Sequence, residues 1–89
     1  MNYYIALMKT LDAEKDMAIR EEHIQYLNDQ IAEGKIIAKG PFTDHTGGLI
    51  IFRAESMEEA QLLANQDPAA VEGTREFILK EWKCSIELP

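Results

Sequence analysis

The stretch Asn2-Tyr3-Tyr4-Ile5-Ala6-Leu7-Met8-Lys9 carries aromatic and aliphatic side chains at odd and even positions alike. Its aromatic and branched content predicts a β-strand. Successive strand residues point to opposite faces, so Tyr3, Ile5 and Leu7 share one face and Tyr4, Ala6 and Met8 the other. An antiparallel sheet with one wet face should alternate apolar and polar residues. This strand does not. Downstream, Leu49 and Ile51 oppose Ile50 and Phe52 in the same manner. Both faces of the sheet therefore need cover.

Reading outward from that strand, Asp12 is placed as a helix N-cap and Glu14 suits the first turn. The helix is predicted to run to about Glu33, where Gly34 is positioned to end it in a left-handed cap. Lys35 to Lys39 reads as a second strand closed by Gly40-Pro41, residues 42–47 as a loop, and Gly48 to Ala54 as a third strand. Ser56 and Glu59 form a capping box for a second helix, whose apolar side is Ala60, Leu63 and Ala64 and which Pro68 terminates. A connection from Ala69 to Thr74 leads to a last strand, Glu76 to Glu87.

The order β-α-β-β-α-β is that of a split βαβ, ferredoxin-like α+β fold over residues 1–89, a four-stranded antiparallel sheet with both helices on one face. Two helices cover only one face. Homodimerisation through the sheet face is the expected cover for the second, and so small a domain gains from burial against a copy.

Composition narrows the function. The chain is 46% hydrophobic and 28% charged, a globular balance, and its formal net charge of −7 argues against nucleic acid and anionic membrane surfaces as partners. A single cysteine, Cys84, excludes an internal disulfide framework and any multi-cysteine metal site. The apolar run Tyr3 to Met8 is too short for a signal sequence and has no basic segment before it, and no stretch reaches membrane-spanning length. A reducing cytoplasm is the expected compartment.

The first helix holds the polar residues of interest. At about 100° per residue, Ala13, Met17, Ile24, Leu27 and Ile31 fall on one apolar stripe, with Arg20 inside it and His23 on its flank. A buried guanidinium is costly unless it is paired or faces a wet cavity. The helix therefore points toward a small-molecule cleft. An imidazole can move a proton either way, so His23 suits acid/base work; the bland alternative is a half-buried imidazole satisfied by a neighbour. Arg20 suits bidentate binding of a carboxylate, or else a structural ion pair with Asp67 or Asp44. A carboxylate at Asp67 near a helix C-terminus opposes the dipole and precedes proline, where α geometry is disfavoured. Its bland reading is an Asp-Pro turn bonding nearby amides.

Taken in order, Arg20-Glu21-Glu22-His23 with Leu27, Gly34-Lys35, Gly40-Pro41, Gly47-Gly48 and Ala64-Asn65-Gln66-Asp67-Pro68 resemble the YciI-like family over essentially the whole chain. The resemblance implies a ferredoxin-like protomer, a homodimeric α+β barrel, and a cleft with a His and an Asp. It also implies kinship with muconolactone isomerase-like proteins, some relatives being linked to breakdown of chlorinated aromatics.

On this combined reading His23 and Asp67 are the expected catalytic pair, Asp67 fixing the imidazole tautomer and stabilising the imidazolium. Arg20, Asp44, Gly40 and Pro41 are the expected substrate contacts, Asp44 and His45 lying in a loop at the cleft mouth. A metal site from His23, His45, Asp44 and Asp67 matches no ligand spacing, and none is expected. Neither is an organic cofactor. Gly40 and Gly47-Gly48 are turn punctuation rather than a phosphate cradle, because no helix N-terminus follows them. Cys84 lies in a predicted strand with no basic neighbour placed to activate it. The expected function is cofactor-independent isomerase- or lyase-type proton transfer on a small anionic or aromatic compound. The alternative is a non-catalytic metabolite-binding or dimerisation module.

Overall fold

Every strand pairing is antiparallel. In the computed structural model, which describes residues 2–88, β1 (Asn2–Thr10) lies between β3 (Gly47–Ala54) and β4 (Arg75–Trp82), and β2 (Ile36–Pro41) pairs with the outer side of β3. The order β2-β3-β1-β4 is the four-stranded ferredoxin-like arrangement expected from the sequence. The helical segments are α1 (Ala13–Ala18), α2 (Arg20–Ala32), α3 (Met57–Asn65) and α4 (Pro68–Val71).

Strand parity decides where the core sits. Tyr4, Ala6 and Met8 of β1 and Ile50, Phe52 and Ala54 of β3 are buried and cluster with Leu27, Ala60, Leu63 and Ala64 from the helices. The two longer helices, α2 and α3, therefore pack on this face. Tyr3, Ile5, Leu7, Leu49 and Ile51 face the other way and are only partly buried, while Ile78 and Trp82 are exposed. The second apolar face is real and stands open on the single chain.

Local signals behave as their chemistry requires. Asp12 Oδ1 accepts from the Lys15 amide at 3.1 Å, and Ser56 Oγ accepts from the Glu59 amide at 3.1 Å. Gly34 closes α2 with φ +77. Gly47 has no alternative, since a Cβ there would sit 1.7 Å from the Met8 carbonyl oxygen.

Three boundaries differ from expectation. The long first helix is interrupted at Ile19 (φ −104, ψ 12), which separates α1 from α2. A helical wheel drawn through that break misplaces its residues: Met17 is 71% exposed and Ile31 43%, whereas His23, Leu27 and Gln30 form the buried face of α2. Arg20 is thus exposed at the start of α2 rather than embedded in an apolar stripe, and His23 is buried rather than flanking. Next, α3 ends at Asn65, and Pro68 opens α4 instead of terminating the second helix; proline is tolerated at a first helical position. Finally, β4 ends at Trp82, short of Glu87.

Candidate functional site

His23 enters the fold in the second turn of the ladder that restarts after Ile19, its amide bonding the Ile19 carbonyl at 3.0 Å. Its imidazole Nδ1 lies 2.6 Å from Asp67 Oδ1, and both side chains are buried. Asp67 sits between α3 and α4 with extended backbone (φ −64, ψ 131), as a residue preceding proline prefers. Its Oδ1 also accepts from the Ala69 amide at 2.9 Å, while Oδ2 is buried without a hydrogen-bond partner. The dipole objection to this carboxylate disappears: Asp67 does not end a helix but N-caps the next one. The turn role and the pairing with His23 coexist.

The bond to Asp67 fixes the chemistry of the ring. An ionised carboxylate only accepts, so opposite an Asp67 carboxylate Nδ1 is the donor and Nε2 is the nitrogen left for other work. His23 lines a cavity of about 110 Å³ together with Met8, Leu27, Gly40 and Pro41. Arg20, Lys39 and Arg75 complete its polar wall. A second cavity of about 250 Å³ adjoins it, sharing Arg20, Pro41 and Arg75 and adding Asp16, Phe42 and His45.

Arg75 is locked from outside the first cavity. Its Nε and Nη2 donate to Asp16 Oδ1 and Oδ2, each at 2.9 Å, and Thr74 Oγ1 donates to Asp16 Oδ1 at 2.8 Å. Burial pushes the Asp16 carboxyl up, but the hydrogen bonds from Arg75 and Thr74 outweigh it and hold the group below the usual carboxylate range. Behind the His–Asp pair, Tyr26 donates to the Leu63 carbonyl at 2.6 Å. Burial, with the nearby charges of Asp67 and Glu33, pushes the Tyr26 phenol up to about 12.

The structure brings His23, Asp67, Arg20, Gly40 and Pro41 to one region. Arg20 forms no ion pair among the described residues, so neither Asp67 nor Asp44 holds it. Asp44 is the exception. It is fully exposed, lines neither cavity, and folds back to accept from Thr46 N at 3.1 Å and Thr46 Oγ1 at 2.7 Å. Those bonds hold its carboxyl below the usual range, the hydroxyl bond contributing most. The neighbouring His45, at φ 64, lines the outer cavity instead. No cluster of three metal-ligating side chains occurs among the described residues, and no helix is long and apolar enough to cross a membrane.

Residues 1–83 match the YCII-related domain. The chain belongs to that family. An uncharacterised protein of Bacillus subtilis (strain 168), YjpA, is 37% identical over 84 residues, spanning 90% of this chain and 95% of its own length. Among solved structures, the 5-chloro-2-hydroxyhydroquinone dehydrochlorinase TftG from Burkholderia phenoliruptrix AC1100, in complex with 2,5-dihydroxybenzoquinone, superposes with a TM-score of 0.77. That match covers 91% of this chain and 93% of TftG at 24% sequence identity, and it establishes a shared fold.

Sequence reasoning missed two members of this YCII-related site, Asp16 and Arg75. Arg75 stands at the start of β4, next to the paired Thr10 of β1, and reaches Asp16 across 59 positions. Nothing local in either segment announces that contact. The signal available was weaker: an acidic residue one turn ahead of Arg20 on the same helical run.

Proposed function

We propose that this YCII-related protein is a homodimer joined through the open sheet face, and that each subunit performs proton transfer on a small anionic or aromatic compound. The observation that carries the reading is the buried 2.6 Å contact between His23 Nδ1 and Asp67 Oδ1 on the wall of a cationic cavity. Asp67 holds the Nδ1–H tautomer, so the Nε2 lone pair is the base. Proton abstraction breaks a C–H bond, forms an Nε2–H bond, and leaves the electron pair on the substrate as an enolate-type anion. Arg20 and Lys39 offset that negative charge, and the Asp67 carboxylate offsets the imidazolium. Return of the proton at another carbon completes an isomerisation. Loss of a leaving group from the anion completes an elimination.

Support for the dimer comes from the open face, where Ile78 is 47% and Trp82 37% exposed beside the half-buried Ile5 and Leu7.

TftG shows this fold holding 2,5-dihydroxybenzoquinone, a ring with exchangeable C–H positions, which makes that compound a suitable probe. The test is deuterium incorporation into the ring in heavy water, followed by proton NMR. The wild-type protein should accelerate exchange, and His23→Asn should not. Equal rates with and without protein would overturn the acid/base role, and binding without exchange would favour a non-catalytic metabolite-binding module.

A further inference from the structure

The cavities carry charge in a pattern the chain as a whole does not. Acidic residues outnumber basic ones 16 to 9, yet three of those nine cations, Arg20, Lys39 and Arg75, line the His23 cavity and, among the described residues, no carboxylate does. Such segregation favours an anionic occupant. Among the three cations Arg75 is the immobilised one. Asp16 takes one edge of its guanidinium in a bidentate pair, and the two side chains are 18% and 15% exposed. The other terminal nitrogen, Nη1, meets Met8 Sδ at 3.6 Å, and a thioether is a weak acceptor. Nη1 therefore keeps hydrogen-bonding capacity in a group already fixed in direction, which lowers the cost of binding an anion.

Size narrows the occupant. A cavity of about 150 Å³ accommodates benzene. The His23 cavity is about 110 Å³ and adjoins the larger space across Arg20 and Arg75. A single ring exceeds the smaller cavity alone and is accommodated by reaching across that junction into the larger space.

We infer that Arg75, positioned by Asp16, receives the carboxylate of a single-ring ligand whose reacting edge lies beside His23. This rests on the site proposed above and adds its substrate class and specificity-determining residue. Asp16 acts through Arg75 and is a positioning residue.

The test is equilibrium binding, by calorimetry, of two probes that share a ring and differ by one carboxylate: 2,5-dihydroxybenzoate and 1,4-dihydroxybenzene. The wild-type protein should prefer the carboxylate by about tenfold or more, the size of one charge-assisted hydrogen bond. Arg75→Gln should bring the ratio close to one, Arg75→Lys should restore part of it, and Asp16→Asn should give an intermediate ratio. A purely structural Asp16–Arg75 clip would weaken both probes equally and leave the ratio alone, which overturns the inference. So does an absence of preference, or of any binding, in the wild type. Should Arg75→Gln fail to fold, Asp16→Asn decides by the same ratio. Because the ratio needs no turnover, it stands apart from loss of proton exchange in His23→Asn.

Discussion

His23 in α2 and Asp67 at the α3–α4 junction are 44 positions apart in sequence and 2.6 Å apart in space, and a single oxygen, Asp67 Oδ1, serves both the imidazole and the Ala69 amide. The contact ties α2 to the α3–α4 junction.

That one-oxygen arrangement makes Asp67→Asn informative. An asparagine that keeps Oδ1 in place preserves both hydrogen bonds, its new amide group replacing the unpartnered Oδ2. Fold and tautomer should survive, with stability within about 1 kcal/mol, since asparagine is as good an N-cap as aspartate. Proton exchange should fall, because the imidazolium loses its counter-charge. Thermal unfolding and exchange kinetics measure the two quantities separately.

His23 demands a more careful variant than alanine. The sequence places His23 on a helix flank, where truncation would be mild, but the side chain is 8% exposed and pairs a buried carboxylate. His23→Ala should cost about 1–3 kcal/mol by removing one of the two donors to Asp67 Oδ1 and leaving the Ala69 amide as the other. His23→Asn can offer an amide N–H near the position of Nδ1 and should recover much of that loss while lacking any base. Chemical denaturation compares them.

The element order, the sheet and the caps at Asp12, Ser56 and Gly34 were legible because each is a local signal. The His23–Asp67 pair is legible in part: residue types and helix ends draw attention to both, but the opposition to the α3 dipole that marks Asp67 in the sequence does not arise in the fold. Asp67 caps α4, a four-residue helix that connection-like residues concealed. The break at Ile19 escaped notice since no Gly or Pro marks it, and a continuous wheel then assigned Met17 and Ile31 to the core. Arg75 and Asp16 meet only through tertiary packing, which periodicity does not report.

Two titrations should bracket the stability profile. The folded-state carboxyl of Asp16 lies below its ordinary 3.8, so its contribution is present above that value and is lost as pH falls through the lower folded value. Asp16→Asn should flatten the acid limb below about pH 4. Tyr26 is shifted from 10.0 to about 12, so its contribution is complete below pH 10 and is lost as pH rises through about 12. Tyr26→Phe should flatten the alkaline limb in the same denaturation series.

The proposed dimer joins two copies through the open sheet face. Light scattering should return twice the chain mass of 10.1 kDa at micromolar concentration. Ile78, 47% exposed on that face, offers a clean disruption: Ile78→Glu should give monomers with little loss of protomer folding. A wild-type protein of single-chain mass would refute the interface.

The most direct measurement of the central claim is the nitrogen-15 NMR spectrum of the His23 ring with and without 2,5-dihydroxybenzoate. An Asp67-oriented base should show, in its neutral form, a protonated Nδ1 and a free Nε2 lone pair, with the Nε2 resonance moving when the probe binds. A neutral ring protonated at Nε2, or an Nε2 signal indifferent to bound probe, would contradict a catalytic His23.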